Sequence, residues 1–181
     1  WALQNGRSLC GSKIGLTSVA VQKQLGVDQP DFGVLYSDTQ IKNEGEISMS
    51  HLMQPKAEAE IAFVLKSGFD QRISDIQQII DATDYICASI EVVGSRVANW
   101  DIRITDTVAD NASASHFVLG DQRVNPLDFD FVNCQMNLIK NGEISSTGSG
   151  AACMGNPLNA VMWLANKRLD LGNPLKAGEI I

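Results

Sequence analysis

The segment KAEAEIAFVLK, residues 56–66, reads as a β-strand that carries two carboxylates close together. Alternate side chains of a strand point to opposite faces, so Glu58 and Glu60 share one face with Ala62 and Val64. The odd-numbered residues of the other face are all apolar. Two ionised carboxylates in a poorly solvated place repel each other unless a pKa rises or a cation lies between them. The segment therefore predicts a partly buried strand with a charged site on one face.

A third carboxylate, Glu91, lies in the apolar segment SIEVVG, between Ile90 and Val92, where an unpaired charge would be costly. Three carboxylates without a neighbouring Cys or His suit a hard, oxygen-seeking cation such as Mg²⁺ or Mn²⁺. The alternative is that Glu58 and Glu60 simply form the solvated face of an edge strand. The residues alone leave both interpretations open.

Composition and charge restrict the class of protein. The chain has 181 residues, 44% of them hydrophobic, which is enough for one domain with a sizeable core. Its net charge of −7, without a basic cluster, argues against nucleic acid and anionic membranes as partners. No apolar run approaches the roughly 20 residues that span a bilayer, and no signal peptide is recognisable. The four cysteines are widely spaced, so we expect reduced thiols in a cytoplasmic protein.

Three helices are expected from capping and periodicity. The first begins at Thr17 or Ser18 and ends at Gly26, which suits a left-handed C-terminal position. The second begins with a capping box formed by Ser74 and Gln77. The third occupies residues 156–172, with Asn156 as its cap and Pro157 in its first turn.

Strands are expected to outnumber these helices. Besides residues 56–66, strands are predicted within 43–49 and 87–96, and residues 134–150 form a hairpin around Asn141-Gly142. Residues 107–120 are predicted as a further strand or strand pair. Because the strands do not alternate regularly with helices, an α+β fold with a mixed β-sheet is favoured over a doubly wound fold.

Six segments, in this order, resemble the 2-hydroxypenta-2,4-dienoate (2-oxopent-4-enoate) hydratases of the fumarylacetoacetate hydrolase-like superfamily. They are GSKIGLTS, QLGVDQPDFGVL, QPKAEAEIAFVL, IEVVGSR, DTVADNAS and GNPLNAVMWLAN. The resemblance covers nearly the whole chain and implies an α+β fold with a mixed β-sheet or β-roll core and a few flanking helices. Compared with that family, residues 1–181 read as a single catalytic domain without the N-terminal helical segment and the last C-terminal strands.

The resemblance also implies the site residues and the reaction. The ligands that it implies for Mg²⁺ or Mn²⁺ are Glu58, Glu60 and Glu91. The other polar site residues that it implies are Lys13, Asp31 and Ser113. The implied reaction adds water to a 2-hydroxydienoate and gives 4-hydroxy-2-oxopentanoate, with the cation acting as a Lewis acid on the 2-oxo acid. Lys13 is expected to supply a second positive charge, Asp31 to move protons or orient water, and Ser113 to hold substrate or water by a hydrogen bond, with a permutation of these roles left open.

Several alternatives stay open. One alternative is a 2-oxo-3-hexenedioate (4-oxalocrotonate) decarboxylase, a sister enzyme of the same family. Another is a hydratase of longer-chain dioates. A non-enzyme alternative is a metal-binding structural partner in a hydratase–decarboxylase complex. The family resemblance further implies a homo-oligomer, with pentameric rings as one arrangement, and allows a complex with a sister decarboxylase or a downstream aldolase.

Overall fold

A long antiparallel strand pair lies at the centre of the molecule. The computed structural model describes residues 5–181. Strand β4 (Lys56–Leu65) pairs with β5 (Thr83–Val93) along its whole length, and this register places Glu58 directly opposite Glu91. Directly opposite residues of paired strands point to the same face of a sheet. The strand predicted from residues 56–66 is therefore confirmed, and its charged face continues onto β5.

Two further strands extend this pair into a mixed sheet. Strand β6 (Ala114–Leu119) pairs antiparallel with β5, and the short strand β3 (Gln40–Ile41) pairs parallel with β6. The strand order across the sheet is β3-β6-β5-β4. The predicted α+β class with a mixed sheet is confirmed.

A two-stranded ribbon is attached to the edge of this sheet through residues 180 and 181. Strand β1 (Leu9–Gly15) pairs antiparallel with β2 (Asp31–Tyr36). The backbone around Ile180 lies between this ribbon and β4, because Ser12 N–H donates to the Ile180 carbonyl at 2.8 Å and Phe63 N–H donates to the Ile181 carbonyl at 2.8 Å. These bonds bring the β1–β2 ribbon alongside the strand that carries Glu58 and Glu60.

Within residues 5–181, four α-helices accompany the strands, and the N-caps of the first and the last are the residues expected from the sequence. Ser18 Oγ accepts from the Val21 N–H at the start of the first helix, which ends at Gly26 with φ of 67°. Asn156 caps the last helix by accepting from the Leu158 N–H at 3.0 Å. Both predictions are confirmed. The helices are α1 (Val19–Leu25), α2 (Ile76–Ala82), α3 (Ile104–Ala109) and α4 (Pro157–Asp170).

The cap of α2 lies one residue later than predicted. Asp75, not Ser74, is the N-cap, because its carboxylate accepts from the Gln77 N–H at 2.9 Å. The capping box is closed by the Gln78 amide oxygen, which accepts from the Asp75 N–H at 3.2 Å. Asp and Ser are comparable caps, so local sequence did not separate the two registers.

The prediction for residues 107–120 was wrong in its first half. Residues 104–109 form helix α3 and residues 111–113 form a 3₁₀ turn, so only Ala114–Leu119 is extended. Thr107 is buried and donates its hydroxyl to the Ile104 carbonyl, so the polar group of this β-branched residue is satisfied within the helix. The strand predicted within 43–49 is absent from the part of the chain that the structure describes.

A hairpin and the hydrophobic core complete the fold. Strands β7 (Gln135–Lys140) and β8 (Glu143–Ser149) pair around Asn141 and Gly142, both at positive φ, as predicted. Among the helices of residues 5–181, none combines the length and the hydropathy of a membrane-spanning segment. The core fills the space between β4, β5, α2 and α4, and its largest fully buried side chains include Leu65, Ile79, Ile86, Val161 and Leu164.

Candidate active site

The three predicted carboxylates lie on one face of the β4–β5 pair. Glu58 and Glu60 are two residues apart on β4, and Glu91 is the cross-strand partner of Glu58. Glu91 is buried, and its Oε1 atom is buried without a hydrogen-bond partner. Glu58 and Glu60 are open to the cleft in front of the sheet. An orphaned buried carboxylate oxygen is costly, which indicates a site built to receive a further positively charged or hydrogen-bonding group.

Lys13 reaches this face from strand β1. Its ammonium lies 3.2 Å from Glu91 Oε2 and donates to the Ala112 carbonyl at 2.9 Å. Each side chain of this ion pair is only 9% exposed, so the pair is shielded from solvent. A shielded ammonium beside a carboxylate face can hold an anionic substrate group that would otherwise be repelled.

Asp31 lies next to Lys13 because of the β1–β2 register. That register pairs Asp31 with Gly15, which follows Lys13 by two residues and lies on the same face of β1. A Cβ atom added at Gly15 would lie 2.3 Å from Asp31 Oδ1 and 3.4 Å from Lys13 Nζ. Gly15 therefore leaves the space that the buried Asp31 carboxylate occupies.

Ser113 stands at the end of a turn with an unusual backbone. Asn111, Ala112 and Ser113 have φ values of 54°, 50° and 59°, a left-handed conformation that non-glycine residues seldom adopt in succession. The turn is held by the Gly94 N–H, which donates to the Ser113 carbonyl at 2.9 Å, and by Lys13, which donates to the Ala112 carbonyl. Such strain persists only where surrounding contacts impose it, and it is typical of functional sites.

The electrostatics of the carboxylate face differ from those of a solvated surface. Burial, followed by the charges of Glu91 and Glu58, raises the pKa of Glu60 to about 7. Glu60 is open to the cleft, yet protein groups surround its carboxylate closely enough to disfavour its charge. Burial also raises the pKa of Glu91, and the ammonium of Lys13 partly opposes that shift. Both shifts arise first from burial and then from neighbouring carboxylates, and a shared cation would oppose both causes.

Two cavities meet at the predicted residues. A cleft of about 380 Å³ is lined by Lys13, Asp31, Glu58, Glu60 and Ser113, which are five of the six predicted site residues. The sixth, Glu91, lines an adjoining cavity of about 130 Å³ together with Lys13 and Glu60. The structure thus brings together residues from β1, β2, β4, β5 and the 111–113 turn. Their individual roles remain predictions.

The carboxylates are not drawn together into a formed metal-ligand cluster. Within residues 5–181, no three Asp, Glu, His or Cys side chains lie close enough together to hold a metal ion as they stand. The Cβ atoms of directly opposite residues, such as Glu58 and Glu91, lie about 5 Å apart, so side-chain rotation alone can bring their oxygens together. The donor chemistry and the orphaned Glu91 oxygen therefore fit a divalent cation.

Two further features, one lining the cleft and one beside it, were not predicted from the sequence. Trp100 lines the cleft mouth, and the Lys56 ammonium lies 4.0 Å from the centroid of its ring. Asn111 anchors the left-handed turn through its side-chain amide. The signal for Asn111 was its residue type, because Asn is enriched at positive φ. Nothing local pairs Lys56 with Trp100, which is 44 residues away.

The chain is similar in sequence to known hydratases. No model of a known protein family matches the chain. A 2-keto-4-pentenoate hydratase of Burkholderia vietnamiensis (strain G4 / LMG 22486) is 51% identical over 177 residues, which cover 98% of this chain and 68% of that protein. A 2-hydroxypent-2,4-dienoate hydratase of Pseudomonas putida is 49% identical over 166 residues, which cover 91% of this chain and 74% of that protein.

Solved structures show the same fold. The 4-oxalocrotonate decarboxylase from Pseudomonas putida G7, complexed with magnesium and adipate, has a TM-score of 0.94 and 34% identity, covering 99% of this chain and 68% of that one. The fumarylpyruvate hydrolase from Pseudomonas aeruginosa, in complex with Mn²⁺ and pyruvate, has a TM-score of 0.66 and 12% identity, covering 94% of this chain and 75% of that one. The second likeness shows the fold alone.

Proposed function

Because the chain belongs to the 2-keto-4-pentenoate hydratase family, we propose that it is a hydro-lyase acting on 2-hydroxypenta-2,4-dienoate (2-oxopent-4-enoate). The reaction adds one water and gives 4-hydroxy-2-oxopentanoate, a step of aromatic meta-cleavage catabolism. The observation that carries the proposal is the single cleft in which Lys13, Asp31, Ser113 and the carboxylates of β4 meet. Its mixed charges suit a small anionic substrate held next to a cation.

Glu58, Glu60 and Glu91 are the proposed ligands of a divalent cation, Mg²⁺ or Mn²⁺. When bound, such a cation supplies Lewis-acid stabilisation of negative charge on the C2 oxygen of the substrate. Support comes from the shared face of the three carboxylates, the orphaned Oε1 of Glu91 and the raised pKa of Glu60. The complexes of the related 4-oxalocrotonate decarboxylase with magnesium and with calcium also favour a divalent ion.

The residues of the chain itself account for the proton movements. The dienol loses its C2 hydroxyl proton and gains a proton at C5, which gives an α,β-unsaturated ketone. Water then adds at C4, and C3 takes the remaining proton. Lys13, shielded beside Glu91, stabilises the charge that develops on the C2 oxygen. Asp31 moves protons or orients the water, and Ser113 holds substrate or water by a hydrogen bond.

A direct assay tests the reaction. The protein is mixed with freshly generated 2-hydroxypenta-2,4-dienoate and Mg²⁺, and loss of the dienol ultraviolet absorbance is followed together with formation of 4-hydroxy-2-oxopentanoate. We expect turnover that chelation by EDTA abolishes and added Mg²⁺ restores. Folded, metal-loaded protein that leaves the dienol unchanged would contradict the proposed function.

The metal ligands are tested by Glu60→Gln. This change keeps the side-chain volume but removes an anionic donor, so we expect turnover to fall about 100-fold or more and Mg²⁺ affinity to fall with it. Calorimetric titration of Mg²⁺ and steady-state kinetics measure the two effects. Glu143→Gln, at an exposed carboxylate of the β7–β8 hairpin, is the control and should bind and turn over as the wild type does. Unaltered Mg²⁺ binding by Glu60→Gln would exclude Glu60 as a ligand.

The second candidate function is decarboxylation of 2-oxo-3-hexenedioate (4-oxalocrotonate). The similarity to the Pseudomonas putida G7 decarboxylase, at 34% identity and a TM-score of 0.94, favours it specifically. The two reactions separate when each substrate is supplied alone with Mg²⁺ and release of CO₂ is measured. Hydration without CO₂ release supports the first proposal, whereas CO₂ release from the dioate supports the second.

We further propose a cytoplasmic homo-oligomer that associates with a sister decarboxylase of the same pathway. Support for a reducing compartment comes from Cys10, Cys87, Cys134 and Cys153, which are all free thiols. The shared fold with the decarboxylase supports the association, because related chains can present similar surfaces. Light scattering of the pure protein, and of its mixture with the decarboxylase, measures both states.

A further inference from the structure

The side-chain amide of Asn111 forms hydrogen bonds with the backbone of strand β2 like those that a neighbouring strand would form. Val34 N–H donates to Asn111 Oδ1 at 2.8 Å, and Asn111 Nδ2 donates to the Val34 carbonyl at 2.9 Å. Both backbone groups of one strand residue are thus satisfied by a single side chain. This two-point contact fixes the 111–113 turn against β2 in both position and orientation.

The turn fits closely against the strand at the same place. A Cβ atom added at Gly33 would lie 2.2 Å from the Asn111 carbonyl oxygen, so glycine is needed for this approach. The next residue, Ala112, is also left-handed and offers its carbonyl to the ammonium of Lys13 at 2.9 Å. The path from Asn111 to the Lys13 ammonium therefore runs through one residue, Ala112, and one hydrogen bond.

We propose that Asn111 is a positioning residue for Lys13 and Ser113. Its amide contact with Val34 holds the strained turn so that the Ala112 carbonyl fixes the Lys13 ammonium beside Glu91, while Ser113 lines the cleft. Asn111 itself is not among the residues that line either cavity, so it acts through its neighbours. The kinetic part of this inference rests on the proposed hydratase function, whereas the placement of Lys13 does not.

An independent anchor makes the inference testable. Arg96 holds the preceding residue, Asp110, because its backbone N–H donates to Asp110 Oδ2 at 3.1 Å and its guanidinium donates to the Asp110 carbonyl at 3.0 Å. The guanidinium also forms an ion pair with the Asp110 carboxylate. These contacts do not involve the Asn111 side chain, so the turn stays attached to the protein when that side chain is removed.

The test variant is Asn111→Gly, which removes the amide but accepts positive φ without strain. The matched control is Asn141→Gly, a left-handed Asn in the exposed β7–β8 turn. The first readout needs no activity: each protein is treated with acetic anhydride, and acetylation of Lys13 is followed by peptide mass spectrometry relative to the exposed Lys140. We expect Lys13 to react several-fold faster in Asn111→Gly and at the wild-type rate in Asn141→Gly.

The second readout is kinetic. Misplacement of a charged group by about 1 Å can cost on the order of 100-fold in rate, so we expect kcat of Asn111→Gly to fall about 10- to 100-fold with a comparable melting temperature. If Asn111 acts through Lys13 as well as Ser113, the double variant Asn111→Gly/Lys13→Met loses less rate than the product of the two single losses, because only the contribution through Ser113 remains. A purely structural role of Asn111 predicts additive losses instead.

The outcomes distinguish this inference from the proposed function. Unchanged Lys13 acetylation in a folded Asn111→Gly variant, or additive kinetic losses, would overturn the positioning role. A wild-type protein that does not hydrate the dienol would contradict the proposed function, and the acetylation result would still decide whether Asn111 positions Lys13. Faster acetylation together with the non-additive kinetic loss would support both.

Discussion

At the scale of single residues, Lys13 and Glu91 make the cleft chemically distinct from a solvated strand face. Their shielded ion pair places a positive charge 3.2 Å from a buried carboxylate whose second oxygen has no partner. Neither side chain could be withdrawn without leaving the other buried and unpaired, which is strongly destabilising. The two side chains therefore act as a unit, which presents a positive charge and an unpaired carboxylate oxygen to the cleft.

Glu60 predicts a pH dependence of stability for the metal-free protein. Its pKa is raised from an ordinary value of 4.5 to about 7, so the unfolded chain releases this proton at lower pH than the folded one. The free energy of unfolding should therefore fall as pH rises from about 4.5 through 7, and this loss is absent in Glu60→Gln. Solvent in the open cleft reduces this effect. From pH 5 to pH 8, we expect the free energy of unfolding of the wild type to fall by about 1 kcal/mol relative to that of Glu60→Gln.

Urea unfolding in EDTA at pH 5 and pH 8 measures this effect. Glu143→Gln controls for the loss of a surface carboxylate, since Glu143 is exposed on the hairpin. A stability difference between Glu60→Gln and wild type that is the same at both pH values would show that Glu60 does not keep its proton in the folded state.

At the scale of elements, a short-range cap defines where helix α2 begins, whereas strand pairing defines where it ends. Helix α2 begins at the Asp75–Gln78 capping box but ends after Ala82, because Thr83 already belongs to β5. Thr83 pairs with Leu65 across the sheet and donates its hydroxyl to the Ile79 carbonyl. The helical sequence pattern therefore continues into residues that form strand β5.

The α2 cap is tested by Asp75→Ala. The carboxylate of Asp75 accepts from the Gln77 N–H, so its removal should lower the free energy of unfolding by about 1 kcal/mol. Ser74→Ala is the matched control, and we expect a change within about 0.5 kcal/mol because Ser74 takes part through its backbone N–H. Chemical denaturation measures both values, and a larger loss in Ser74→Ala than in Asp75→Ala would assign the cap to Ser74.

At the scale of the whole molecule, Arg168 joins the last helix to the ribbon that carries Lys13. Arg168 is 5% exposed; one guanidinium nitrogen donates to Ser12 Oγ at 2.7 Å, and Nε donates to the Asn173 carbonyl at 2.7 Å. The same guanidinium pairs with Glu179 at 3.4 Å. Helix α4, strand β1 and the segment next to β4 are therefore held together by one buried side chain.

Arg168→Ala tests this connection. Loss of the guanidinium leaves Glu179 without its partner and removes two short hydrogen bonds, so we expect the free energy of unfolding to fall by about 3 kcal/mol. Lys167→Ala, at the exposed neighbouring position of α4, should change it by less than about 0.5 kcal/mol. Equal effects of the two substitutions in urea unfolding would show that the Arg168 contacts do not stabilise the fold.

Much of the fold was predictable because it depends on neighbours in the chain. The alternation of residues 56–65, the caps Ser18 and Asn156, and the Asn141-Gly142 turn all express preferences of a few adjacent residues, and the structure confirms them. The shared face of Glu58 and Glu60 follows from the same two-residue period. The expectation that they bind a metal with Glu91 came from residue chemistry and family resemblance, and it remains a prediction.

By itself the sequence determined the strand and helix periodicities, the capping residues and the donor chemistry, because each is a property of a residue and its close neighbours. The tertiary structure alone decided that Glu91 stands opposite Glu58, that Lys13 reaches Glu91, and that residues 111–113 adopt a left-handed turn. The physical reason is the separation along the chain of the residues that interact. Strand register and backbone strain are set by hydrogen bonds between residues such as Val34 and Asn111, 77 positions apart, whose energies no local pattern encodes.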